Sequence, residues 1–242
     1  MDLKRPQSFW QFFLGLLASH WQALLLLLLG VCVPLFFFEQ LAIAIYQQGV
    51  FPWDEAILRA IHTTAQPSLD RIALTITPFG VYWGVLPVAS VISLVLLYRQ
   101  RWRSLTYILI TMVGSTFINR TAKLLFHRTR PSLWGSFTPH SGFAFPSGHA
   151  MASMSLVSAL AILTWGTRWC WLVVLFGSVF VGTIAWTRLY LGVHFPSDIL
   201  AGWMVSLAWS IGVSLVVRPH LIGKTSPKEE TSLSSEEAQA AN

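Results

Sequence analysis

Three short stretches of this chain hold side chains suited to chemistry on a phosphoryl group. The first, Lys123-Leu-Leu-Phe-His-Arg-Thr-Arg130-Pro131, ends an apolar run with one flexible cation and one planar fork that matches phosphate oxygens. The second, Phe145-Pro146-Ser147-Gly148-His149-Ala150, stands directly before another apolar run. Proline, serine and glycine at a helix start leave backbone N–H groups pointing outward, which with the helix dipole make an anion site. Gly148 also lets an anion approach the backbone closely. In the third, Thr187-Arg188-Leu-Tyr-Leu-Gly-Val-His194-Phe-Pro-Ser-Asp198, an imidazole and a carboxylate are four residues apart. If a helix or turn begins there, Asp198 accepts from one ring nitrogen of His194 and the other is left to attack, as in activated nucleophiles.

Taken singly, each stretch has a plainer reading. Lys123 and Arg130 fit helix-end cations that reach for lipid headgroups. Ser147 fits an N-cap, His149 a satisfied structural histidine, and Asp198 a favourable charge at the positive end of a helix. Together they supply two histidines, one orienting carboxylate, three cations and a helix-start anion nest on one predicted side of a membrane. Phosphoryl transfer asks for that inventory, because it is mostly positioning and neutralisation of charge on the equatorial oxygens.

The elements that must carry these residues are membrane helices. Hydrophobic residues make up 54% of the 242 and charged residues 11%, with a mean hydropathy of +0.59, which excludes an ordinary soluble surface. Six runs are long and apolar enough to span a bilayer: 21–38, 72–97, 104–126, 150–167, 169–187 and 199–217. An all-α, six-span bundle is therefore expected. Pro78, Gly80, Gly84 and Pro87 predict a kink in the second run. The net charge of +6 forms no continuous basic stripe, so nucleic acid is not an expected partner. It instead sets topology: Lys4 and Arg5, then Arg99, Arg101 and Arg103, then Arg168 lie in alternate connections, which places them in the cytoplasm. Segments 39–71, 127–149 and 188–198, with the candidate site, then face outward, and both termini lie inside. The basic start and Ala42-Ile43-Ala44 loosely fit a cleaved signal peptide, but the apolar run is longer than such segments use. Cys32 and Cys170 read as small packing residues, with no disulfide framework or metal cluster available.

Outside the motifs, residues 1–20 fit an interfacial helix or an extension of the first span. Residues 46–70 fit a short external amphipathic segment, and 218–242 a disordered cytoplasmic tail. Tryptophans gather near span ends as interfacial anchors. His127, Arg128 and His140 are expected to be solvated loop residues; His20, His62 and His220 lack chemical neighbours in sequence and are expected at the interface.

With these motifs in order, the chain resembles the type 2 phosphatidic acid phosphatase family, lipid phosphate phosphatases that share an active site with vanadium haloperoxidases. K-x6-R-P matches Lys123 to Pro131, P-S-G-H matches Pro146 to His149, and S-R-x5-H-x3-D matches Thr187 to Asp198, with Thr187 in place of the usual serine. The resemblance implies that His194 attacks phosphorus to form a phosphohistidine, that Asp198 orients it, and that His149 protonates the leaving oxygen and then activates water. It further implies that Lys123, Arg130, Ser147, Gly148 and Arg188 hold the phosphate oxygens, and that no metal or other cofactor is needed. A hydroxyl survives at Thr187, so tuning rather than loss is expected there. The expected substrate is a lipid phosphate, phosphatidic acid first, then phosphatidylglycerophosphate and undecaprenyl diphosphate. The expected setting is a bacterial-type inner or thylakoid membrane, with the site facing periplasm or lumen. A phosphotransferase would share His194, a transporter would carry charge nearer the bilayer midplane, and a haloperoxidase lacks room for its halide pocket.

Overall fold

Chain buried in lipid must close its backbone hydrogen bonds internally, and all six predicted runs fall on helices in the computed structural model. It describes residues 8–134 and 142–220, among which no strand occurs. The helices are α1 (Phe9–Leu27), α2 (Val33–Gln48), α3 (Pro52–His62), α4 (Pro67–Ile76), α5 (Val85–Tyr98), α6 (Trp102–Phe126), α7 (Gly148–Leu163), α8 (Trp169–Tyr190) and α9 (Pro196–Val217). Among the described residues, four stretches are long and apolar enough to cross a membrane: Ala18–Gln48, Pro67–Tyr98, Trp169–Tyr190 and Pro196–Val217. Helix α7 is apolar but only 16 residues long. Helix α6 has 25 residues and carries Arg103, Arg120 and Lys123. The all-helical class is as expected, while length and apolarity by themselves mark four candidate crossings among the described residues, short of the six expected.

Two runs depart from a plain helix. Between α1 and α2 the chain makes a π-helical turn, Leu28–Cys32. Pro34 follows it, and a proline cannot donate to the carbonyl four residues back, so a wider turn relieves the conflict. The same turn presents Gly30 to α9, where a Cβ would come within 2.7 Å of Ile211 Cδ1. The second predicted span is not one kinked helix but two helices. A 3-10 turn, Thr77–Gly80, and the turn that follows it separate α4 from α5.

Helix α7 sits at the centre, packed chiefly on α9 and α8 and also on α6. Most of its buried residues are small, Ala150, Ser153, Ser155, Ser158 and Ala159 beside Met151 and Leu156, and α9 answers with Ala201, Gly202, Ser206, Ala208 and Ser210. Small residues allow close backbone approach where lipid offers no hydrophobic drive to associate. A Cβ on Gly202 would lie 3.2 Å from the Ser147 carbonyl oxygen. Hydroxyls close the seams: Ser155 Oγ donates to Ser115 Oγ at 2.8 Å, and Tyr107 donates to the Ser210 carbonyl at 3.2 Å. Large apolar side chains point the other way, Val91, Leu94, Trp171 and Phe176 all being well exposed. The tail from 221 onward lies outside the described residues.

Candidate active site

The end of α6, the start of α7, the end of α8 and the start of α9 meet at one end of the bundle. Helix α6 ends with Lys123 in its last turn and His127 in the left-handed region. Its α7 neighbour begins after Ser147, whose backbone is extended and whose N–H donates to the Asp198 carbonyl at 3.1 Å. That bond ties the second motif to the third. Ser147 is fully buried and makes no side-chain cap; among the described residues its Oγ has no hydrogen-bond partner. The plain capping reading of Ser147 therefore does not hold. Gly148 is held close to α6, where a Cβ would stand 3.1 Å from Asn119 Oδ1, and Asn119 Nδ2 donates to the Pro146 carbonyl at 3.0 Å.

His194 is 1% exposed, and its Nδ1 lies 3.4 Å from Asp198 Oδ2. A carboxylate on that side favours the Nδ1–H tautomer and leaves the Nε2 lone pair for attack. Nε2 faces Arg130, whose Nη1 is 3.5 Å away and also donates to the Val193 carbonyl at 2.9 Å. Burial pushes the Arg130 guanidinium down from its usual range, while the Asp198 carboxylate pulls it back up. Arg188 is buried at the end of α8; its Nη1 donates to Thr77 Oγ1 at 2.8 Å, and its Nε has no partner among the described residues. The charges of Arg130, Arg188 and Asp198 all act on Lys123. His149, half-buried on the first turn of α7, packs beside Gly80, where a Cβ would come 3.0 Å from His149 Cδ2. All eight predicted site residues thus share one end of the bundle, on five pieces of chain. Thr187 is set apart, because its buried hydroxyl donates to the Ile184 carbonyl at 2.7 Å.

Sequence reading missed what stands behind Asp198. Arg128, expected to be solvated, is 5% exposed and is a correction. One of its terminal nitrogens donates to Asp198 Oδ1 and, at 2.7 Å, to Ser197 Oγ; the other donates to Asp54 Oδ2 at 2.8 Å. Its Nε reaches the Gly49 carbonyl at 2.9 Å, and its guanidinium lies over the Phe195 ring, 4.4 Å from the centroid. Asp54, fully buried, accepts from both Ser197 N–H and Ser197 Oγ, at 2.9 and 2.6 Å. An unpaired buried charge is costly, and both carboxylates here are bonded to the one guanidinium of Arg128. A repeated pattern signalled Asp54: Phe51-Pro-Trp-Asp54 opens α3 as Phe195-Pro-Ser-Asp198 opens α9. In each, proline takes the first turn and the aspartate accepts from the backbone N–H of the phenylalanine, at 3.5 and 2.8 Å. His62 likewise has a partner, stacking on Trp134 at 4.0 Å between centroids, whereas His127 is exposed as expected. His140 lies outside the described residues. No group of three or more His, Cys, Asp or Glu suited to a metal ion occurs among the described residues.

The PAP2 superfamily model matches residues 104–221. Phosphatidylglycerophosphatase B of Bacillus subtilis is 31% identical over 177 residues, spanning 71% of this chain and 86% of the relative. The chain belongs to the PAP2 superfamily. The crystal structure of a transmembrane PAP2 type phosphatidylglycerolphosphate phosphatase from Bacillus subtilis superposes with a TM-score of 0.70 at 27% identity, covering 80% of this chain and 98% of that one. An undecaprenyl-diphosphatase of Sulfolobus acidocaldarius is 22% identical over 154 residues, 62% of this chain and 71% of the relative. This PAP2 protein is accordingly an integral membrane protein of the phosphatase class.

Proposed function

We propose that this PAP2 protein hydrolyses the terminal phosphate of a membrane lipid through a phosphohistidine on His194. The observation that carries the reading is the His194–Asp198 pair, with Nε2 facing Arg130 and, on the neighbouring helix start, the buried Ser147 Oγ, which has no partner among the described residues. Nε2 attacks phosphorus as the bond to the lipid oxygen breaks, and His149 passes a proton to that oxygen, so that the lipid alcohol leaves. His149 then takes a proton from water, whose oxygen attacks phosphorus; inorganic phosphate leaves and His194 is restored. Lys123, Arg130 and Arg188, with Ser147 and the backbone at Gly148, hold the three equatorial oxygens, on which charge accumulates in the transition state.

Phosphatidylglycerophosphate is the first substrate to test, ahead of phosphatidic acid, since a relative and a solved structure with that activity in their names cover most of the chain. Undecaprenyl diphosphate is the third. We further take the bundle to cross the membrane six times, with α6 and α7 completing the four longer apolar stretches and the site facing the periplasm or lumen. The basic turns around Arg99 to Arg103 and Arg168 lie at the opposite helix ends from the site, which supports that orientation.

Purified protein in detergent with excess chelator is expected to release inorganic phosphate from phosphatidylglycerophosphate, and His194→Ala to release none. Turnover that survives in His194→Ala, or that disappears with chelation, would overturn the mechanism.

A further inference from the structure

Two carboxylates, Asp54 and Asp198, share one guanidinium, Arg128, in a site where both acids are fully buried. Arginine stays charged in proteins, so with both carboxylates ionised the trio carries one net negative charge. The lone pairs of Asp198 are divided: Oδ1 accepts from Arg128, and Oδ2 accepts from Phe195 N–H while facing His194 Nδ1. Without Asp54, the same guanidinium would have Asp198 as its only charged partner among the described residues and would cancel it. In a low-dielectric site that cancellation reaches the ring that Asp198 supports.

We propose that Asp54 is a positioning residue for phosphoryl transfer: it engages Arg128 and Ser197 so that Asp198 keeps its orientation and an uncancelled negative charge behind His194. The assignment rests on His194 being the nucleophile. The charge matters because the imidazole becomes cationic when Nε2 bonds to phosphorus, while other charged or titratable groups already crowd the site. Lys123 on α6, Arg130 on the following loop, His149 on α7 and Arg188 on α8 are those groups. A purely structural role, pinning α3 to α9, would also make Asp54 sensitive to substitution. The two roles differ in the pH profile. Asp54→Asn removes a negative charge and leaves a donor-acceptor of the same shape, so the His194 imidazolium loses support and its pKa falls. The acid limb of kcat/KM, where neutral His194 is needed, then moves to lower pH.

The experiment is kcat and KM against pH for phosphate release from phosphatidylglycerophosphate, using wild type, Asp54→Asn and the double variant Asp54→Asn/Arg128→Gln in detergent. For Asp54→Asn the expected result is a loss of kcat of roughly 10- to 100-fold with little change in KM, as for other indirect supports of a reacting group. Its acid limb is expected to be lower by on the order of one pH unit. The double variant, which again leaves Asp198 uncancelled, returns the limb to the wild-type position even if kcat stays low. An Asp54→Asn enzyme with an unmoved limb, or a double variant displaced as far as the single one, overturns the proposal. Should Asp54→Asn not fold, Asp54→Glu takes its place: charge kept and geometry disturbed predict lower kcat with the limb in place, and a shifted limb is the overturning result. If wild type itself releases no phosphate, it is the function in the preceding section that fails.

Discussion

Ser147 shows how a residue's environment separates two roles that its position in sequence left open. An N-cap serine bonds a backbone N–H of the first turn; here the hydroxyl is buried and makes no such bond. Ser147→Ala should therefore leave the melting temperature nearly unchanged while raising KM and lowering kcat/KM by about tenfold, the scale of one hydrogen bond to a charged group. Lys123→Ala should cost more, because it removes a whole charge from the proposed phosphate cradle, and it should leave residual turnover where His194→Ala leaves none. Kinetics and melting curves of the three variants check this. The eight residues that meet at the site were legible because their motifs are local, each within a dozen positions. Asp54 and Arg128 were not, since their pairing spans 74 positions and an arginine between a helix end and a proline reads as solvated. Only the echo of Phe-Pro-x-Asp at 51 and 195 held a hint.

Among the elements, hydropathy found the helices that carry the site but smoothed over where they break. A window long enough to detect a span averages across Thr77–Gly84, so Pro78, Gly80 and Gly84 read as a kink in one helix. In the structure that break touches the candidate site: Thr77 takes the Arg188 donor, and Gly80 gives His149 room that a Cβ would remove. The order of the remaining elements implies a sidedness that can be measured. With Cys32 and Cys170 replaced, a cysteine at exposed His127, after α6, should react with an impermeant thiol reagent added to the periplasmic side of intact cells. A cysteine at exposed Gln100, before α6, should react only after permeabilisation. Equal labelling of both would remove α6 as a crossing and with it the six-span arrangement.

For the whole molecule, the fold class was legible from composition, since 54% hydrophobic residues leave little choice but helices in lipid. The tight seam between α7 and α9 was less so, because serines and alanines inside an apolar run look like weak hydrophobes until their partners are known. That seam and the cation cradle have a joint consequence. Lys123, Arg130 and Arg188 come from three different pieces of chain and repel one another, so an oxyanion held among them is a noncovalent crosslink of the bundle. Binding that favours the folded form adds about 2.7 kcal/mol at a hundredfold excess over the dissociation constant. Inorganic phosphate should thus raise the melting temperature in detergent where chloride of equal ionic strength does not, and Arg188→Ala should flatten that response. The product of the reaction would then act as a thermodynamic brace for the protein that releases it, so that the anion that steadies the fold is also the one that competes with substrate for the site.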